Sequence, residues 1–266
     1  MREAGKFFLF RPGAIFGPMD LTNAIILIVA GFFTGFANTV AGGGSLISLP
    51  VLIFLGLPAT VANATNRVAL VAQNIFAIAG FKSKGVSAWP YSLYLGVSAL
   101  FGAVIGARLS LELNDELFNK IIAVLMVVVI VVTVFNPVKL GVENERMGTK
   151  HKVMGILAFF GVGIYGGFIQ VGVGFLIMAA LTHINHFSLV KTNSAKVFIV
   201  FIYMMAALVV FMLEDKINWT YGLVLAIGNS TGAWIASRYS VKKGDQWIKR
   251  FLLVMVVAMA VKLWFF

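Results

Sequence analysis

The sequence predicts an all-α polytopic membrane protein made of two pseudo-symmetric repeats of four or five helices each. Three observations lead there. Of the 266 residues, 60% are hydrophobic and only 12% are charged, about half the charge of an ordinary soluble domain, so much of the surface must face lipid. Long apolar stretches recur with short polar breaks, at lengths close to the ~20 residues that cross a bilayer as a helix. Landmarks of the first half also return 130 residues later.

Taken in order, residues 1–20 read as an interfacial segment. The Phe7–Phe10 run is too short for the apolar core of a signal peptide, and Arg11-Pro12-Gly13 separates it from the next apolar residues. Spans are expected near 21–41, 59–80, 90–108, 116–135, 153–171, 188–212, 220–237 and 247–266. Two shorter apolar pieces, near 45–57 and 174–184, come after glycine-rich breaks and are too short to cross comfortably as untilted helices. The most polar stretch, 136–152, is the expected cytoplasmic linker, which divides the chain into repeats 21–135 and 153–266.

The repeat rests on residue types that are scarce here. Gly102-Ala103-x-Ile105-x-x-Arg108-x-Ser110 returns as Gly232-Ala233-x-Ile235-x-x-Arg238-x-Ser240. Trp89-x-Tyr91 returns as Trp219-x-Tyr221, and Asp115 as Asp245. Gly42-x-Gly44-x-Leu46-Ile47 returns as Gly172-x-Gly174-x-Leu176-Ile177, and Thr65-Asn66 meets Thr192-Asn193 if three residues are dropped. Matching loops trade sign. Lys82 and Lys84 correspond to a loop of Glu214, Asp215 and Lys216, and Glu112-Leu113 corresponds to Lys242-Lys243. Because Lys and Arg favour the cytoplasm, the exchange favours inverted repeats with an odd number of crossings in each half. Parallel repeats of four helices with re-entrant short pieces are the other arrangement, and the basic N-terminus (Arg2, Lys6, Arg11) fits that one better.

Several chemistries are excluded or disfavoured. Without cysteine there is no disulfide, thiolate site or cysteine nucleophile. The net charge of +11 fits basic cytoplasmic loops, and no polar stretch is long enough to form a basic face for nucleic acid. All ten acidic residues lie at span ends or in loops, so a carboxylate relay for cations is not expected. Ser45 beside glycines, with His183 and His186 elsewhere, lacks any further nucleophile motif, so no enzyme is expected. Three histidines without inward acids make no metal site, and nothing calls for a cofactor.

Two constellations could bind a substrate. The first is the pair of breaks, Asn38 to Ser45 with Gly42, Gly43 and Gly44, and Gly166 to Gly174 with Gln170, Gly172 and Gly174. Unwound backbone at membrane depth is tolerated only where protein or a water-filled cavity surrounds it. A helix that starts after such a break offers free N–H groups and a positive dipole end to an anion. The second is Thr65-Asn66-Arg67 with Thr192-Asn193 and Lys196, each set lying within an apolar span. A cation there, if uncompensated, marks a functional site; the plainer account is snorkelling to an interface. For the glycines the plainer account is close helix packing.

The run from Gly35 to Pro50, with its Ala41-Gly42-Gly43-Gly44-Ser45-Leu46-Ile47-Ser48-Leu49-Pro50 segment, together with Thr65-Asn66, resembles the TauE/SafE sulfite exporter family. Gly167-x-x-Gln170-x-Gly172-x-Gly174 and Thr192-Asn193 resemble its second repeat, although the second break lacks the triple glycine. The resemblance implies a multi-pass protein of the bacterial inner membrane that exports sulfite, a sulfonate or a related anion. The expected partners are a small anionic substrate and the lipid bilayer, with no nucleic acid; a homo-oligomer is a possible further association. An anion channel of the same build and a non-transporting scaffold subunit remain as alternatives.

Overall fold

The computed structural model describes residues 19–135 and 144–265, and these are helical apart from short connections. The elements in order are α1 (Leu21–Val40), α2 (Ser45–Phe54), α3 (Ala59–Lys82), α4 (Tyr91–Leu111), α5 (Asp115–Phe135), α6 (Thr149–Phe168), α7 (Val173–Ile184), α8 (Leu189–Leu213) and α9 (Trp219–Phe265). By length and composition α1, α4, α6 and α8 can each cross a membrane. The expected interfacial segment lies almost wholly outside the described residues, as do positions 136–143 of the expected linker. Its last residues, from Thr149, form the first turn of α6. The spans expected at 220–237 and 247–266 are two arms of α9, separated where Gly244 leaves helical geometry at φ 74° and ψ −175°.

The short pieces are real helices of 10 and 12 residues. α1 stops because Gly42 turns left-handed (φ 85°) and its N–H reaches back to the Ala37 and Asn38 carbonyls, a conformation open to glycine at no steric cost. α6 stops differently. Ile169 is extended at φ −142° and ψ 129°, and the left-handed residue, Gly172 (φ 70°), comes just before α7. Left-handed backbone recurs in pairs 130 residues apart: Gly42 with Gly172, Gly56 with His186, and Gly85 with Asp215.

Packing crosses between the halves. α1 lies along α9, and α6 lies along α4. In each crossing the helix axes approach closely over a small-xxx-small pair. A Cβ on Gly35 would stand 2.0 Å from the Asn229 carbonyl oxygen, and one on Gly163 would stand 2.1 Å from the Ala99 carbonyl oxygen. α4 also packs on α8, and α9 on α3, so the fourth helix of each half covers the first and third of the other. Asp115 and Asp245 tie these layers at their ends. The Asp115 carboxylate accepts from the backbone N–H (3.1 Å) and hydroxyl (2.7 Å) of Thr60 at the start of α3. The Asp245 carboxylate accepts from the N–H groups of Leu189 (2.8 Å) and Val190 (2.9 Å) at the start of α8. In each half the fifth helical segment therefore begins with an acid that caps the third helix, where four N–H groups would otherwise lack partners.

Candidate functional site

The two breaks meet in the middle of the molecule. Gly42 and Gly174 touch backbone to backbone: a Cβ on Gly42 would lie 2.4 Å from the Gly174 carbonyl carbon, and one on Gly174 would lie 2.2 Å from the Gly42 Cα. Asn38, Thr39, Gly42, Gly43, Gly44 and Ser45 are all buried, as are Gln170, Gly172 and Gly174. The N–H groups of Gly43 and Gly44 donate to no backbone acceptor among the described residues.

Ending α1 and α6 here leaves their last carbonyls inside the protein, and the other half supplies the donors. Arg67 on α3 is fully buried and donates to the carbonyls of Gly166 (3.1 Å) and Gly167 (2.6 Å) at the end of α6. Its guanidinium lies 4.7 Å from the centre of the Phe211 ring. Asn63, one turn earlier, donates to the final carbonyl of that helix, Phe168, at 3.1 Å. At the other end of the pair, Lys196 on α8 is 2% exposed. It donates to the carbonyls of Asn38 (2.9 Å) and Thr39 (3.0 Å) and to the Asn193 side-chain oxygen (2.7 Å). Asn193 in turn donates to the final carbonyl of α1, Val40, at 2.9 Å.

Neither cation snorkels to an interface and neither is uncompensated: each is buried and held on a helix C-terminus. A helix end carries roughly half a negative charge, so each cation still leaves about half a positive charge in the core. No carboxylate cancels it among the described residues, where the ion pairs are Lys120–Glu116 and Lys191–Glu145, neither in the core. Several polar atoms near the breaks have no partner: the Thr39 and Ser45 hydroxyls, the Asn66 side-chain oxygen and the Arg67 Nε. Gln170 is partnered, its side-chain oxygen accepting from the Tyr203 hydroxyl at 2.9 Å.

A family model described as Sulfite exporter TauE/SafE matches residues 27–263. The chain belongs to this family. Among similar proteins, "Probable membrane transporter protein ORF9" of a Sinorhizobium species is 25% identical, covering 89% of this chain and 90% of that one. "Probable membrane transporter protein" of Haemophilus influenzae is 26% identical over 90% of this chain and 93% of its own. "Probable membrane transporter protein YfcA" of Escherichia coli is 26% identical over 90% and 88% respectively. No solved structure matches. This TauE/SafE chain is thus a member of a membrane transporter family, as its motifs implied.

The structure gathers most of the expected residues at the breaks and gives some of them other duties. Thr65 accepts from the Asn218 N–H at 3.0 Å, just before α9 begins. Thr192 makes only a long bond, 3.5 Å, to the Phe187 carbonyl. The gapped pairing of Asn66 with Asn193 is corrected by contact: Asn63, 130 residues before Asn193, does the same work, while Asn66 does not. Ser45 is buried without a partner, and the ring of His183 bonds to the Ala179 carbonyl instead. Asn63 and Tyr203 were missed. The ungapped repeat pointed to Asn63; nothing in the sequence singled out Tyr203.

Proposed function

We propose that this TauE/SafE protein is a secondary transporter of the bacterial inner membrane that exports a small oxyanion, sulfite or an organosulfonate first. The observation that carries the reading is the pair of buried cations, Arg67 and Lys196, each on the C-terminus of a helix that stops inside the protein, with neither facing a carboxylate among the described residues. Together their uncancelled charge is about one positive unit when each helix end contributes roughly half a negative charge, which suits one monovalent anion. The anion would sit beside the Gly42–Gly174 contact, with N–H groups of Gly43 and Gly44, the Ser45 and Thr39 hydroxyls and the Arg67 Nε as free donors.

Inverted repeats support the transport mechanism. The left-handed pairs, the two Asp caps and the exchange of first and fourth helices between halves all fit two copies of one unit related by a two-fold axis. In such folds the site lies between discontinuous helices near the midplane, and access alternates as one repeat rocks on the other. Here rocking would slide the Gly42–Gly174 contact and part the two halves over the anion. The test uses purified protein, with a thermal-shift panel of sulfite, methanesulfonate, sulfate and chloride and then flux in proteoliposomes. Sulfite or methanesulfonate should raise the melting temperature and show saturable flux. A protein that no anion stabilises, or whose flux never saturates, sinks the reading.

A further inference from the structure

The two halves are matched in backbone but not in what lines them. Where α1, α3 and α9 meet, the contact layer is polar. The Asn229 amide donates to the Gln73 side-chain oxygen at 3.3 Å. Gly31 and Gly35 bring α1 onto this pair, a Cβ on Gly31 lying 3.1 Å from the Asn229 side-chain oxygen. Thr34 stands between them on α1, one turn before Asn38, whose carbonyl holds Lys196. Thr34, Gln73 and Asn229 are each 0% exposed. Each nonetheless keeps one atom without a partner: the Thr34 hydroxyl, the Gln73 side-chain nitrogen and the Asn229 side-chain oxygen.

The corresponding layer of the other half, where α6, α8 and α4 meet, is apolar. Ala99 replaces Asn229 and takes Gly163 as Asn229 takes Gly35. Val162 precedes Gly163 as Thr34 precedes Gly35. Tyr203 stands 130 residues after Gln73, with its ring 3.0 Å from where a Gly166 Cβ would be and its hydroxyl occupied by Gln170. Phe211 lies against Arg67, and beyond its two carbonyls the acceptor that the guanidinium reaches among the described residues is the Met204 sulfur at 3.5 Å.

Three unpartnered polar atoms in one small buried layer are costly unless water or a polar ligand reaches them. We infer that the Thr34–Gln73–Asn229 layer is a hydrated compartment through which an oxyanion reaches the Lys196 side of the breaks, while the Tyr203–Ala99 layer beside Arg67 is a dry gate. Hydroxyl and amide donors suit the oxygens of a sulfonate or sulfite without trapping them as a full charge would. The inference deepens the transporter reading and rests on it for the identity of the solute.

The natural chain has no cysteine, so single cysteines report water access cleanly. Asn229→Cys should react with a small water-soluble thiol reagent at least about tenfold faster than Ala99→Cys, because only a solvated thiol ionises readily. Methanesulfonate should slow the first reaction. Equal rates, or a faster reaction at position 99, overturn the compartment even if flux assays uphold anion transport. Unequal rates that no anion alters keep the compartment and remove the oxyanion from it. Should Asn229→Cys fail to fold, Thr34→Val separates the possibilities. In a hydrated route it lowers flux several-fold without lowering the melting temperature; in a merely packed layer it leaves flux unchanged, and the compartment is lost.

Discussion

Asn63 and Asn193 stand 130 residues apart and make the same bond in opposite directions: Asn63 donates to the last carbonyl of α6, Phe168, and Asn193 to the last carbonyl of α1, Val40. Each half thus closes the open end of the other's first helix. Replacing either by Ala leaves a buried carbonyl without a donor, at a cost of about 1–3 kcal/mol. Asn66→Ala should cost much less, since its side-chain oxygen already has no partner. Denaturant unfolding in detergent compares the three. Equal losses at 63 and 66 would show that the ungapped correspondence is wrong.

Gly42 and Gly56 are both left-handed, at φ 85° and 93°, but their surroundings differ. A Cβ on Gly56 meets nothing within 4 Å, so Gly56→Ala should cost only the left-handed backbone penalty, about 1–2 kcal/mol. A Cβ on Gly42 would meet the Gly174 backbone at 2.4 Å, where no flexible side chain can give way. Gly42→Ala should therefore abolish flux or expression while Gly56→Ala folds and transports. Matching behaviour of the two variants would mean that the Gly42–Gly174 approach does not matter.

Much of the fold could be read from the sequence, for reasons that particular residues make plain. Helix positions came from apolar length, and the breaks from glycine runs that a membrane helix does not tolerate unless something surrounds them. Arg67 and Lys196 stood out because charge is scarce in these spans. Their partners did not, because they are backbone carbonyls, and every residue has one; only the fold decides which carbonyls end up at a helix terminus. Asn63 was hidden for a related reason, since Thr65-Asn66 and Thr192-Asn193 offered a local match that drew attention from the ungapped one. The unequal lining of the two halves was also out of reach, because burial and missing partners at Thr34, Gln73 and Asn229 are properties of packing.

The aspartate caps offer a test in separate parts of the molecule. Asp245→Ala removes the acceptor for two backbone N–H groups, and Asp115→Ala the acceptor for one N–H and one hydroxyl. Each should lower stability by about 0.5–2 kcal/mol, the usual range for a lost N-cap. Asp115→Asn should recover most of it, because both bonds go to one oxygen, which an amide keeps; Asp245→Asn should recover only part, because the two carboxylate oxygens each accept one N–H and an amide has a single acceptor. No difference between the Ala and Asn variants would argue against capping.

The proposal of inverted repeats makes a topological prediction. Lys82→Cys and Lys243→Cys should be protected from an impermeant reagent added outside the cell, while Asp215→Cys should be labelled. Lys82 ends α3 and Asp215 comes just after α8, its counterpart, so inversion would put these two matching loops on opposite faces. Labelling of positions 82 and 215 from the same side would establish parallel repeats and remove the two-fold axis from the transport mechanism.

The two cations can be separated into a structural and an electrostatic part. Arg67→Gln removes the fork that holds the Gly166 and Gly167 carbonyls, so the apo-protein should lose stability, by about 1.5–3 kcal/mol for each charged hydrogen bond that is not replaced. Were Arg67 an uncompensated charge, the same change would raise stability. Arg67→Lys keeps the charge but not the planar fork. It should therefore lose stability much as Arg67→Gln does, yet retain most of the affinity for methanesulfonate. At the other end, Lys196→Met keeps the length of the side chain while freeing the Asn38 and Thr39 carbonyls, and it too should weaken anion binding. Ligand-induced thermal shifts on the wild type and the three variants read both quantities at once. If Arg67→Lys and Arg67→Gln bind the anion equally, the guanidinium serves only the end of α6, and the anion is held by the N–H groups at the breaks and by Lys196.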